Sequence, residues 1–175
     1  MKKKILGVAA LILSLNVSAA NDTAWMRHCA ISPDGSQIAF SFKGDIYTVP
    51  VNGGRASQLT TNPSHDTYPI WSPDGQQIAF ASNRLGSMDI YVVNKEGGVP
   101  VRLTTHSGNE TPVAFKDNGH LLFQANILPA AEDMQFPSGQ FPQIYEISTS
   151  GGRPVMFSSM PMENISFSPD GKKLL

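Results

Sequence analysis

A four-residue turn recurs along this chain, and its spacing limits what the polypeptide can become. Ser32-Pro33-Asp34-Gly35 is followed 40 positions later by Ser72-Pro73-Asp74-Gly75, then 44 later by Lys116-Asp117-Asn118-Gly119, then 52 later by Ser168-Pro169-Asp170-Gly171. The copies agree beyond the turn. Ile38-Ala39-Phe40, Ile78-Ala79-Phe80, Leu121-Leu122-Phe123 and Leu174-Leu175 come next, and then Asp45-Ile46-Tyr47, Asp89-Ile90-Tyr91 and Gln143-Ile144-Tyr145. A Gly-Gly pair begins six residues past each tyrosine, at Gly53, Gly97 and Gly151.

The unit is clearest from Asp66 to Thr104. Its apolar runs are four to six residues long, rich in β-branched and aromatic types and bounded by Gly, Pro, Asn or Asp, so it reads as four short strands. In the first turn proline presets the φ of the second position of a type I turn. Ser72 and Asp74 can bond nearby backbone, and Gly75 takes the positive φ without steric cost. Flanking strands are therefore antiparallel, with Ile78 and Phe80 on one face of the second and Ile90 and Val92 on one face of the third. A sheet this small cannot bury its faces alone. A period in the low forties with four strands per unit predicts an all-β fold, a partial β-propeller of stacked blades.

Blades are expected at about 25–60, 66–104 and 110–157, with a fourth opening at 163 and stopping at Leu175. Propellers close with about four to eight blades. The chain is therefore expected to be the N-terminal portion of a larger product, with open edges prone to association and self-oligomerisation. The link between second and third strands grows along the chain. In the third unit the insertion, at 124–142, carries Pro129, Pro137, Pro142, Met134, Phe136 and Phe141, which mark either a contact surface or a self-packed excursion.

At the start, Lys2, Lys3 and Lys4 precede an apolar run from Ile5 to Leu15 and the small residues Val17-Ser18-Ala19-Ala20. That is the pattern of a secretory signal peptide over 1–20, cut after Ala20 or Ala19 and too short to span a bilayer. The propeller region, 21–175, is thus expected outside the cytoplasm, periplasmic or secreted, with no membrane span left. Losing the three lysines takes the formal charge from −1 to −4, so neither nucleic acid nor an anionic membrane is an electrostatic partner. The single cysteine, Cys29, precludes an internal disulfide and reads as a small buried hydrophobe.

Chemistry is sparse. The histidines His28, His65, His106 and His120 lack a signature context, and His106 and Glu110 stand four apart in a loop rather than on a helix. No cofactor, metal site or catalytic residue is predicted. One carboxylate per turn, at Asp34, Asp74 and Asp170, falls short of a calcium shell and suits turn chemistry. His65 and Asn109 occupy equivalent positions, as do Asp66 and Glu110, just ahead of the innermost strands. These four are candidate contacts at the mouth of the central channel. Arg84 and Asp89 flank a hairpin and are expected to pair across it as a surface ion pair.

Trp71-Ser72-Pro73-Asp74-Gly75, Ile78-Ala79-Phe80-Ala81-Ser82-Asn83-Arg84 and Asp89-Ile90-Tyr91 resemble the TolB-type propeller repeat. The phrases Ser41-Phe42-Lys43-Gly44-Asp45-Ile46-Tyr47, Pro50-Val51-Asn52-Gly53-Gly54 and Leu103-Thr104-Thr105-His106-Ser107-Gly108-Asn109-Glu110-Thr111-Pro112 are similar to the amino-terminal propeller of exported tricorn-like serine peptidases. That resemblance implies a segment that gates or docks peptide or protein substrate, with hydrolysis in C-terminal domains beyond this chain. The alternatives are a non-enzymatic TolB-like protein-binding propeller and the propeller of a prolyl-oligopeptidase-like hydrolase. The third unit departs from the repeat at Lys116-Asp117-Asn118-Gly119 and in its insertion, so no binding role carries over there.

Overall fold

The computed structural model describes residues 25–126 and 142–158, together with 165, 167, 168 and 173. Twelve strands form three four-stranded antiparallel sheets, each in simple sequence order. The first holds β1 (Arg27–Ile31), β2 (Gln37–Phe42), β3 (Asp45–Pro50) and β4 (Ser57–Gln58). The second holds β5 (Asp66–Trp71), β6 (Gln77–Leu85), β7 (Ser87–Asn94) and β8 (Val101–Arg102). The third holds β9 (Glu110–Asp117), β10 (His120–Ala125), β11 (Gln143–Ser148) and β12 (Val155–Ser158). The four strands expected between Asp66 and Thr104 are β5 to β8. The signal-like segment and most of the 124–142 insertion, with Met134, Phe136 and Phe141, lie outside the described residues.

The repeated turn does what its residues require. Gly75 has φ 65° and its N–H donates to the Ser72 carbonyl at 2.8 Å. The Ser72 hydroxyl donates to Asp74 Oδ1 at 2.6 Å and accepts from the Gln77 N–H at 2.9 Å. Ser32, Asp34 and Gln37 repeat this bonding in the first sheet. Ser168 and Lys173 repeat its closing pair, N–H to carbonyl at 2.8 Å and N–H to hydroxyl at 2.9 Å. Hydroxyl and backbone donors hold the Asp34 and Asp74 carboxyls below the usual range, Asp34 at about 2.

Strand alternation sends each sheet's apolar residues to two faces, and the second sheet buries both. Trp71, Ile78, Phe80, Tyr91 and Val93 pack on Ala39, Ile46 and Leu59 of the first sheet. Ala79, Ile90, Val92 and Leu103 pack on Phe115, Leu121, Phe123, Tyr145 and Ile147 of the third. In each sheet a phenylalanine of the second strand stacks on a tyrosine of the third. Centroid separations are 5.8 Å for Phe40–Tyr47, 5.9 Å for Phe80–Tyr91 and 5.8 Å for Phe123–Tyr145. Polar bonds also tie sheet to sheet, the Asp66 N–H to the Gly44 carbonyl at 2.7 Å among them. The Trp71 indole donates to the Ala30 carbonyl at 3.1 Å, and Asn118, where the third turn departs from the repeat, accepts from the Asp74 N–H at 3.0 Å.

The first strands of successive sheets approach one another, so β1, β5 and β9 form the inner wall and the short β4 and β8 the rim. Cys29 is exposed, against the expectation of a buried side chain. Among the described strands β1 packs against β5 on one side only, and four of its five residues are exposed.

Phe80 is fully buried between two sheets, whereas Leu85 is 64% exposed. Phe80→Ala is expected to cost about 3–5 kcal/mol, and Leu85→Ala less than about 0.5 kcal/mol. Urea unfolding midpoints of the two variants check the contrast, and equal midpoints would contradict sheet-on-sheet burial as the source of stability.

Candidate functional site

An antiparallel meander puts alternate connections at opposite ends. The repeated turns join first to second strands at one end. The β2–β3 and β6–β7 connections, the joined ends of β10 and β11 and the links between the described sheets gather at the other, called here the loop face. His65 and Asn109 lie on this face and are exposed. Asp66 and Glu110, the next residues in each case, open β5 and β9 and are 0% and 1% exposed. The four candidate residues therefore divide into a surface pair and a buried pair. Backbone amides are clasped beside the surface pair. The His65 N–H donates to Asn83 Oδ1 at 2.7 Å, and Asn109 Oδ1 accepts from the Met88 N–H at 3.1 Å.

The buried pair belongs to two related polar nodes between the sheets. In the first, Asp66 Oδ2 accepts from Arg84 Nη2 at 2.8 Å and Asp66 Oδ1 from the Ser64 hydroxyl at 3.1 Å. The Arg84 guanidinium lies 4.5 Å from the Tyr91 ring centroid and 5.6 Å from that of Phe80, so its planar charge rests on the aromatic stack. In the second node Arg102 Nη2 lies 2.8 Å from Asp89 Oδ2. Glu110, opening β9, is buried close enough to this pair to feel the Asp89 and Arg102 charges, and the Thr104 hydroxyl is in reach of its carboxyl. The expected pairing of Arg84 with Asp89 is corrected on both counts. Arg84 reaches back to the first strand of its own sheet, Asp89 forward to the fourth, and both aspartates are buried rather than on the surface.

Burial raises the Glu110 carboxyl to about 7. The Asp89 charge adds to this, and the Thr104 hydroxyl and Arg102 oppose it. The first node's neighbour Asp45 is also raised, chiefly by burial, although Thr60 and Gln58 donate to it.

Nearer the axis, each inner strand carries a bulge, between Arg27 and Ala30 in β1 and between Thr67 and Ile70 in β5. His28 and Tyr68 sit there at equivalent repeat positions with φ of 51° and 54°, left-handed values that cost a side chain-bearing residue roughly 1–2 kcal/mol. Their rings meet with centroids 3.8 Å apart. Pro112 takes the matching position of β9, where its ring excludes a positive φ, and the register there still shifts between Pro112 and Ala114. No periodicity signals these bulges in the sequence.

Between the first two sheets the loop face opens into a cleft of about 440 Å³. Trp25, Arg27, His28, Phe42, Lys43 and His65 are among the residues that line it. Lys43 and Gly44 form the two-residue β2–β3 turn, both with positive φ, at 51° and 94°, the signature of type I′. Gly44 is required, because a Cβ there would come 3.3 Å from the Ser64 carbonyl oxygen. Lysine at the preceding position costs about 1 kcal/mol relative to Asn or Gly. The His28 imidazole is lowered by burial first, and by the Arg27 and His65 charges.

Sheets that stack face to face around inner first strands define a β-propeller of the TolB type. The chain belongs to a family described as the tricorn protease N-terminal beta propeller domain, whose model matches residues 23–175. It is similar to tricorn protease homolog 1 of Streptomyces coelicolor, 35% identical over 77 residues, covering 44% of this chain and 7% of that protein. The Tol-Pal system protein TolB of Desulfosudis oleivorans is 38% identical over 63 residues, covering 34% of this chain and 14% of that one. Among solved structures, the putative TolB from Agrobacterium tumefaciens superposes with a TM-score of 0.67 at 24% identity, over 83% of this chain and 55% of that one. The chain thus spans a small part of the length of these two curated relatives.

The raised Glu110 carboxyl gives stability a pH dependence with a definite sign. In the folded protein it holds its proton up to about 7, while an unfolded glutamate releases it near 4.5. The folded state therefore binds more protons in that window, so stability falls as pH rises from about 4.5 to about 7 and levels off above. Thermal melts of Glu110→Gln are expected to lose this slope. A wild-type slope retained in the variant would place its origin elsewhere.

Proposed function

We propose that this propeller is the substrate-handling segment of an exported tricorn-like serine peptidase, docking peptides on its loop face while a separate domain hydrolyses them. The observation that carries the reading is the family match over nearly the whole propeller region. The chemistry of the described residues agrees with a docking role. Their closest histidine–carboxylate contact, His120 Nδ1 to Asp117 Oδ1 at 2.9 Å, spans an exposed turn at the end opposite the loop face. The loop face instead offers the exposed His65 and Asn109, with Asp66 and Glu110 beneath them, as contacts around the channel mouth. Export rests on the lysines and apolar run ahead of Ala20.

A TolB-like role, in which the same face holds a folded protein partner and no hydrolysis occurs, is the second reading. It is favoured by the fold-level likeness to the putative TolB structure.

A serine-directed fluorophosphonate separates the two. The intact protein is expected to be labelled, and His65→Ala with Asn109→Ala is expected to lower kcat/KM severalfold for long peptides while sparing a short chromogenic substrate. An unlabelled, inactive protein that captures a folded envelope protein would favour the second reading. Equal losses on long and short substrates would remove docking from the loop face.

A further inference from the structure

The chain contains two Asn-Gly steps, Asn52-Gly53 and Asn118-Gly119, and both asparagines are exposed. At such a step the main-chain nitrogen of the glycine lies close to the asparagine side-chain amide, with no glycine side chain to keep them apart, so an internal acyl transfer is open to it. The two steps differ in what surrounds the reacting atoms.

At Asn118 the turn between β9 and β10 sets a base on one atom and a donor on the other. The Gly119 N–H donates to Asp117 Oδ1 at 2.7 Å, and Nδ1 of His120 lies 2.9 Å and 3.1 Å from the two oxygens of that carboxylate, which orients it. From the neighbouring sheet the Asp74 N–H donates to Asn118 Oδ1 at 3.0 Å. A carboxylate on the N–H can take its proton, and a donor on the amide oxygen stabilises the charge that gathers there during attack on Cγ. At Asn52 the Gly53 N–H donates instead to the Pro50 carbonyl at 2.9 Å, a far weaker base.

The repeat explains why the Asn118 side chain is available. Asp34, Asp74 and Asp117 each stand four residues ahead of the first apolar residue of the second strand, at Ile38, Ile78 and Leu121. Each accepts from the N–H two residues on, that of Ser36, Gln76 or Gly119. Asp117 therefore does the turn's work in the third sheet, and Asn118 reaches across to the second.

We propose that Asn118 is a modification site, deamidating spontaneously through a cyclic imide with Asp117 as the base. Gly119 N bonds to Asn118 Cγ, its proton passes by way of Asp117 to the amide nitrogen, and the Cγ–Nδ2 bond breaks to release ammonia. Water then opens the ring at either carbonyl, giving aspartate or isoaspartate at 118. Isoaspartate adds a methylene to the main chain inside a two-residue turn and displaces the acceptor of the Asp74 N–H, so it loosens the tie between the second and third sheets. The site lies at the end opposite the loop face and does not depend on the docking role.

The test incubates the intact protein in oxygen-18 water at neutral pH, with and without guanidinium chloride. Mass spectrometry follows the tryptic peptides that carry Asn52 and Asn118, and electron-transfer fragmentation tells isoaspartate from aspartate. In the folded protein Asn118 is expected to deamidate about tenfold faster than Asn52, with the label in its new carboxyl. In denaturant, where only the sequence remains, the two rates are expected to converge. Asp117→Ser, which keeps an acceptor for the Gly119 N–H and removes the base, is expected to bring the folded rate at Asn118 down to that at Asn52. A folded rate at Asn118 no greater than at Asn52, a lead that persists in denaturant, or a lead that survives Asp117→Ser would each overturn the assignment. If the Asp117→Ser chain does not fold, the comparison of folded with denatured protein decides alone.

Discussion

Each sheet is four strands wide and has two apolar faces, so it gains stability only when another sheet covers it. The second sheet shows the arrangement complete, with Ile78 and Phe80 turned to one neighbour and Ala79 turned to the other. Period-2 alternation makes this possible, because residues next to each other in sequence serve different interfaces. The stacked Phe–Tyr pair recurs in every described sheet, and its near-constant separation shows that the sheets are built alike. Everything at the loop face is held in place by that stacking.

Into these apolar layers the protein inserts charge, always close to the loop face. Asp66, Asp89 and Glu110 are buried, and Arg84 and Arg102 pair with the first two. The first node is matched, since Arg84 has both a carboxylate and an aromatic platform. The second carries two acids for one guanidinium, and a neutral Glu110 is the arrangement that avoids an unpaired buried charge. A repeated architecture thus has repeated polar positions without repeated electrostatics. Gln58, at the place Arg102 takes in the next sheet, shows how a single substitution changes an amide donor to the aspartate into a cationic one.

Much of the fold was legible because its signals are local. Ser72, Asp74 and Gly75 each satisfy a requirement of one turn, and the pairs Ile78 with Phe80 and Ile90 with Val92 need only strand alternation. The site was less legible. Partner choice for Arg84 depends on which of its two neighbouring strands the side chain leans toward, which spacing in the chain does not encode. The exposure of Cys29 depends on what packs beside β1. Left-handed backbone at His28 and Tyr68 depends on register slips between strands, and neither residue type announces it.

Strand lengths are uneven in a way that shapes what the scaffold can become. β6 and β7 run to nine and eight residues, while β4 and β8 have two each. A perimeter this short gives a foreign strand little to pair with. Hairpins projecting along the axis, in contrast, can lengthen at small entropic cost. Novelty in such a disc accumulates as height above one end, leaving its circumference unchanged.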